Sequence, residues 1–260
     1  MPKSLDGAHA LVTGASRGIG AATARRLAAE GSDVTLLART EAELEQRCEE
    51  LSADFDGSYA RVTADVTEPD AIEAAFENAR SHHGDVDILV NNAGTTTSGP
   101  IEDLQPEQWH RMIAVNLDSV YYCTREVLPG MLERGAGRIV NNASTSGLKG
   151  YKYVAAYSAA KHGVVGLTRS LAKEVAGRGV TVNAVCPGYT NTALVSRSAE
   201  AAASGTERSA EEFREMFKKV NPQGRFVDPE EVASTIAWLC RPEQRSTNGD
   251  AIPIDGGETA

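Results

Sequence analysis

Clustered cysteines, an excess of positive charge, long apolar runs and linker-like segments are all missing from this 260-residue chain. Its four cysteines, Cys48, Cys123, Cys186 and Cys240, are far apart, with no Cys-x-x-Cys pair and no Cys/His cluster. That spacing offers zinc no ligand set, so no metal is expected. It also reads as four reduced, mostly buried thiols in a cytosolic protein. Lysine and arginine total 26 against 36 acidic residues, a net charge of −10, which argues against a nucleic-acid backbone as partner. No apolar stretch approaches the roughly 18 residues that span a bilayer. The opening MPKSLDGAHALVTG also lacks a signal-peptide core, so a soluble, cytoplasmic protein with no membrane partner is expected. No Pro/Gly/Ser-rich linker, repeat or low-complexity tract divides the chain, which points to one domain over 1–260.

What is present alternates regularly. Short β-branched or aliphatic runs at Ala8–Thr13, Asp33–Ala38, Ser58–Thr63, Asp87–Val90, Arg138–Asn141, Thr181–Val185 and Ala251–Ile254 read as strands. Segments of helical period near 19–30, 41–52, 69–82, 107–133, 154–177 and 229–240 separate them. Strand–helix–strand alternation implies right-handed crossovers, and so a doubly wound (Rossmann) α/β fold with a seven-stranded parallel sheet and helices on both faces. Residues 190–221 break the rhythm. Small polar residues over Ser196–Gly205 precede an amphipathic stretch, Ala210–Val220, and a segment this long inside a compact domain predicts a substrate lid.

The first strand runs into Thr13-Gly14-Ala15-Ser16-Arg17-Gly18-Ile19-Gly20 and then a helix. Glycines there permit a tight turn and close approach of backbone to a pyrophosphate, whose charge meets the helix N-terminal amides. The spacing is GxxxGxG, so Gly14, Ser16, Arg17, Gly18, Ile19 and Gly20 are candidate nucleotide contacts. After the second strand, Ala38 stands where an NAD site carries an acidic residue for the ribose, and Arg39 follows. A guanidinium suits a 2′-phosphate, with Arg17 as a second positive charge, so the cofactor expected is NADP(H). Asp65 and Val66, after the third strand, are candidates for the adenine edge. Asn91, Asn92, Ala93 and Gly94, after the fourth, are candidates for bracing the sheet edge and passing close to the cofactor.

Tyr157 and Lys161 are four apart in a helical segment and project from one face. An ammonium beside a phenol favours the phenolate, which would let Tyr157 exchange a proton with a carbonyl or alcohol oxygen. Lys161 would also reach the nicotinamide ribose. Ser144, just past the strand at 138–141, lies at the carboxyl edge where such folds bind ligands, and its hydroxyl could share the substrate oxygen. Asn116 is a polar residue inside an otherwise apolar helical stretch, suited to hold a water that relays protons to Lys161.

These motifs, in this order and with Pro187-Gly188 and Asp255-Gly256-Gly257 beyond them, make the chain resemble the short-chain dehydrogenase/reductase family over essentially its whole length. The resemblance implies a catalytic tetrad of Asn116, Ser144, Tyr157 and Lys161. It also implies nicotinamide contacts from Pro187, Gly188, Thr190 and Thr192, and a homotetramer or dimer. The small-residue face of Ala155, Ala156, Ala159, Gly163 and Gly166 would suit subunit packing. Within the family, the stretches 144–193 and 221–233 look most like 3-oxoacyl thioester and polyketide ketoreductases. The expected substrate is then a small-molecule 3-oxoacyl-type ketone, met by Thr95, Thr96, Thr145, Leu148, Tyr151, Tyr153, Tyr189 and Leu194. Lys149, Lys152 and Arg178 would meet a phosphopantetheine or CoA phosphate. The alternatives are a catabolic dehydrogenase of a cyclic or aromatic secondary alcohol, and a nucleotide-sensing scaffold without turnover.

Overall fold

A computed structural model describes residues 4–204 and 206–260. Its strands are β1 (His9–Thr13), β2 (Asp33–Ala38), β3 (Tyr59–Thr63), β4 (Ile88–Asn91), β5 (Gly137–Asn142), β6 (Val180–Pro187) and β7 (Ala251–Ile254). They form one sheet in the order β3-β2-β1-β4-β5-β6-β7, with every pairing parallel. The seven-stranded doubly wound sheet expected from the sequence is therefore present. Its order reverses between β1 and β4, and the carboxyl ends of those strands, Thr13 and Asn91, open the crevice where such folds take ligands.

Nine α-helices cover the sheet among the described residues: α1 (Gly18–Ala29), α2 (Glu41–Asp54), α3 (Pro69–His83), α4 (Pro106–Ile113), α5 (Ser119–Arg134), α6 (Ala155–Val175), α7 (Ala193–Ala203), α8 (Ala210–Val220) and α9 (Pro229–Cys240). Strand residues alternate between two cores because successive side chains point to opposite faces. Ala10, Val12, Val34, Leu36 and Val90 pack with Leu27 of α1, Leu44 of α2 and Ile236 of α9. Leu11, Leu37, Leu89, Ile139 and Val182 pack with Phe76 of α3, Val127 and Met131 of α5, and Leu171 of α6. All four cysteines are buried and free. No helix among the described residues is long and apolar enough to cross a membrane.

Two elements depart from the sequence expectation. The helix expected over 107–133 is interrupted by a π-helical turn, Ala114–Asp118, between α4 and α5. One extra residue per turn there swings Asn116 into the interior. Secondly, the small polar run over 196–205, outside the helical segments read from the sequence, is helical through Ala203; Gly205 lies outside the described residues. Ala199, Ala201, Ala202 and Ala203 have the highest helix propensity, and burial of Val195 and Ala199 fixes one face. The amphipathic stretch is α8, started by a capping box in which Ser209 Oγ accepts from Glu212 N (3.2 Å) and Glu212 Oε2 from Ser209 N (2.7 Å).

Away from the crevice, the amino edge of the sheet holds a histidine pair. His9 is buried; its Nδ1 donates to Gly84 O (3.0 Å), and its Nε2 accepts from Thr35 Oγ1 (2.9 Å). His83 bonds Thr35 Oγ1 (3.2 Å) and Ser58 Oγ (3.0 Å). Burial pulls both imidazoles below the ordinary histidine range, against the carboxylates of Asp87 near His9 and Asp33 near His83. A base held neutral in the fold costs stability as pH falls, because the unfolded chain takes up its proton first. Unfolding free energies from urea titrations should therefore be flat in these two groups between about pH 6.5 and 8 and fall below that, by up to roughly 1.4 kcal/mol per pH unit for each histidine. An unfolding free energy unchanged down to pH 5 would contradict this assignment.

Candidate active site

The glycine turn is closely packed against the loop after β4. Gly14 has φ +64°, and a Cβ on it would stand 2.9 Å from Ala93 Cα; a Cβ on Gly20 would strike Gly14 O. Only glycine fits either position. Asn92 fastens this contact: its Nδ2 donates to Thr13 O (3.0 Å) and Gly14 O (3.2 Å), while Thr13 Oγ1 accepts from Asn92 N and Ala93 N. No acidic residue occupies the first turn of α1, so its amides face the crevice without a competing carboxylate. Ser16 and Arg17 lie on the open side, whereas Ile19 packs partly into the core.

Arg39, 63% exposed, lies 3.8 Å from Asp65 Oδ2, which joins the carboxyl ends of β2 and β3 in one polar edge. Asp65 is steadied by Thr67, whose N and Oγ1 donate to its Oδ1 at 3.0 and 2.9 Å. Arg17 reaches Glu43 at 4.0 Å and is equally free to turn. Val66 is buried against α3, so only its backbone can meet a nucleotide. On the other side, Pro187 ends β6 and is buried. Thr190 Oγ1 donates to Gly188 O (3.1 Å), and Thr192 caps α7 with its methyl 3.1 Å from where a Cβ on Gly18 would be. At the end of the segment 187–192, Thr192 thus lies against the glycine turn at Gly18.

The four tetrad residues converge between these walls. Ser144 heads a 3-10 turn, its Oγ accepting from Ser146 N (3.1 Å), and its hydroxyl lies close enough to the Tyr157 phenol to act on its ionisation. Lys161, one turn along α6, holds its Nζ 5.7 Å from the Tyr157 ring centre and donates to Asn142 O (2.7 Å). Asn116 is fully buried; its Nδ2 donates to Met112 O (3.0 Å) and its Oδ1 accepts from Thr95 N (3.2 Å). It makes no direct bond to Lys161. Both flank Gly94, where a Cβ would stand 3.0 Å from Asn116 Oδ1 and 3.8 Å from Lys161 Nζ.

The electrostatics of Tyr157 and Lys161 are set by burial. Burial pushes the Tyr157 phenol above its ordinary value, outweighing the Ser144 hydroxyl that pulls it down. Burial also pulls the Lys161 ammonium down to about 8. Tyr157 is therefore a protonated hydroxyl at neutral pH, which is what proton donation to a carbonyl needs.

Of the residues expected at the substrate side, Tyr151, Tyr189 and Thr145 line the carboxyl edge beside Ser144. Tyr189 stacks on Phe217 of α8, 4.6 Å between ring centres. Tyr153 takes φ +71°, the one such non-glycine among the described residues, and forms with Thr97–Ile101 and Ala156 a cleft of about 170 Å³. Arg178 is misplaced by the sequence reading. It follows α6, whose 21 residues carry the chain roughly 30 Å from the Tyr157 end to the opposite edge of the sheet. Lys152 lies over the Tyr153 ring (4.6 Å), and Lys149 is committed to Glu258 (3.1 Å). Asn142 and Glu258 were not anticipated. Asn142 bridges Asn92 Oδ1 (2.9 Å) to Lys161, joining the loop that fastens the glycine turn to the candidate catalytic lysine.

Comparison with known proteins decides the family. A sequence model described as enoyl-(acyl carrier protein) reductase matches residues 14–259. The chain belongs to the short-chain dehydrogenase/reductase family. Among solved members of that family, a variant of actinorhodin polyketide ketoreductase with NADPH superposes with a TM-score of 0.92 at 41% identity, covering 99% of each chain. The 3-oxoacyl-[acyl-carrier-protein] reductase FabG of Vibrio cholerae is 39% identical over 98% of both chains. D-beta-hydroxybutyrate dehydrogenase of Cupriavidus necator is 39% identical over 98% of this chain and 99% of its own. The dehydrogenase/reductase fold and the ketone/alcohol chemistry of these relatives match the arrangement of Ser144, Tyr157 and Lys161.

Proposed function

We infer that this short-chain dehydrogenase/reductase is an NADP(H)-dependent ketoreductase, acting on a 3-oxoacyl-type ketone. The observation that carries this reading is the meeting of Ser144, Tyr157 and Lys161 at the carboxyl edge of the sheet on which Arg39 also stands, beyond β2. The glycine turn, which admits no Cβ at Gly14 or Gly20, fits the backbone to a pyrophosphate, and Arg39 with Arg17 fits a 2′-phosphate. Asp65 and the Val66 backbone would edge the adenine, and Asn92–Gly94, Pro187–Gly188, Thr190 and Thr192 would line the nicotinamide side. The nicotinamide supplies the hydride when bound. Ser144 orients the carbonyl oxygen, and Tyr157 delivers its proton to that oxygen. Lys161 would hold the ribose and keeps a positive charge near the phenol, and Asn116 would hold the water that returns protons to Lys161. The actinorhodin and FabG relatives favour reduction over a catabolic alcohol dehydrogenase or a silent scaffold.

The pair α7–α8 acts as the lid, its Phe217 closing over Tyr189. A homotetramer fits the exposed Ala155, Ala159 and Gly166 of α6; Ala156 and Gly163 instead face inward, Gly163 against Leu117. A cytoplasmic location fits the four free thiols.

Initial rates on a panel of 3-oxoacyl thioesters and cyclic ketones, with both nucleotides, test the reading. Arg39→Asp should raise the NADPH KM by roughly tenfold to a hundredfold, from loss of a charge-assisted bond, and shift the NADH KM by less than about threefold. Equal shifts for the two nucleotides would show that Arg39 does not read the phosphate.

A further inference from the structure

Asn142 is the last residue of β5, at a point where the sheet no longer holds both of its edges. Toward β6 it is still paired, opposite Val185. Toward β4 the ladder ends one residue earlier, at the pair Asn91–Asn141. A side chain continues the link beyond that pair: Asn142 Nδ2 donates to Asn92 Oδ1 (2.9 Å), across 50 positions of sequence. The amide supplies the rung that the backbone omits.

Each end of this link leads to a place where a dinucleotide would be held. Asn92 Nδ2 donates to Thr13 O (3.0 Å) and Gly14 O (3.2 Å). It also stands 3.1 Å from where a Cβ on Gly14 would be and 2.5 Å from one on Gly20, so it packs directly on the glycine turn. At the other end, the Asn142 carbonyl accepts from Lys161 Nζ (2.7 Å). An ammonium has three protons, and Asn142 O takes one, which leaves two for a ribose hydroxyl and a water. Thr13 and Gly14, Asn92, Asn142 and Lys161 thus form one continuous chain of hydrogen bonds from the end of β1 to α6. Such networks are worth more than their bonds taken singly.

The rest of the Asn142 side chain is idle. Its Oδ1 is buried and accepts no hydrogen bond among the described residues. Leucine, of nearly the same shape, would remove that orphan while freeing Asn92 Oδ1, so the two effects on the fold oppose each other.

We propose that Asn142 is a positioning residue for the coenzyme. It fixes the glycine turn, which would take the pyrophosphate, at a set separation from the ammonium that would take the nicotinamide ribose. One ligand then meets both holds without rearrangement. This rests on the NADP(H) reading of the same crevice.

The test is a four-member cycle of the parent, Asn142→Leu, Lys161→Met and the double variant, read as NADPH dissociation constants from nucleotide fluorescence. No ketone is needed. Asn142→Leu should raise the Kd of the parent by roughly threefold to tenfold, the scale of one hydrogen bond. In the Lys161→Met background the same substitution should raise it by less than about 1.5-fold, because the link then ends on nothing. Equal factors in the two backgrounds would overturn the proposal, since an amide that only braces the sheet weakens binding whether or not the lysine is there. So would a Kd unchanged by Asn142→Leu. Thermal melts check that each protein is folded, and Asn142→Ala replaces the leucine variant in the cycle if that one does not melt cooperatively. A parent that bound no NADPH would remove the coenzyme reading itself, a failure distinct from additive losses in a parent that binds.

Discussion

Tyr157→Phe should lower kcat for ketone reduction by roughly a hundred- to ten-thousand-fold while leaving the Kd for NADPH within about twofold, because a positioned general acid contributes on that scale. The substitution deletes one oxygen and leaves the ring in place beside Lys161. The Ser144 hydroxyl remains to polarise the carbonyl, which accounts for residual turnover. The pH dependence follows from the direction of the phenol's shift. Burial holds Tyr157 protonated through neutrality, so reduction should not decline as pH rises from 6 to 8 through any loss of this proton. Alcohol oxidation needs the phenolate and should climb with pH across the same range and beyond. Single-turnover rates with nucleotide fluorescence titrations separate chemistry from binding. A Phe variant with near-parental kcat would remove Tyr157 from the mechanism; one that lost activity only in proportion to NADPH affinity would make it a binding residue.

The sheet was legible because its strands are short, aliphatic and bounded by breakers, and because burial on both faces lets β1 read as the continuous run His-Ala-Leu-Val-Thr. Arg39 and the glycine turn were legible for a different reason: their chemistry is local in sequence. Tyr157 and Lys161 were legible as one helix face. The π-turn around Asn116 was not, since 3.6- and 4.4-residue periods cannot be told apart over five residues, and only the buried amide hinted at it. Helix α7 was obscured because alanine and serine suit an irregular polar run as well as a helix until Val195 and Ala199 find a surface to cover. Asn142 and Glu258 were invisible for a third reason. Each acts through partners 50 to 109 positions away, and nothing in a lone asparagine or glutamate announces whether its side chain is turned inward. The misplacement of Arg178 has the same origin: position along α6, not proximity in sequence to β6, decides which sheet edge a residue occupies.

Lys161→Met should show activity and stability moving in opposite directions. Loss of the ammonium should cut kcat/KM by roughly a hundredfold or more, through a weaker hold on the ribose and an unassisted Tyr157. Yet the fold carries this charge at a cost. Burial lowers its pKa to about 8 from the ordinary lysine value of 10.5, so the protonated side chain is disfavoured in the folded state. Taken alone that amounts to about 3 kcal/mol at pH 7. The 2.7 Å bond donated to Asn142 O returns about 1–1.5 kcal/mol of it. A methionine of similar length leaves the cost behind and forfeits the bond, for a net gain of about 1–2 kcal/mol, or a few degrees in Tm. The sign with pH is fixed. The cost is fully present below the folded-state pKa and disappears as pH rises toward the unfolded value, so the parent should gain on the variant between pH 8 and 10.5. Melting curves of both proteins at pH 7, 8.5 and 10 would measure this. A variant less stable than the parent at pH 7, with a gap that does not widen as pH rises, would show that the ammonium is held by stronger bonds than the one to Asn142. The strained, charged interior at α6 would then not be the sacrifice of stability for catalysis that this geometry describes.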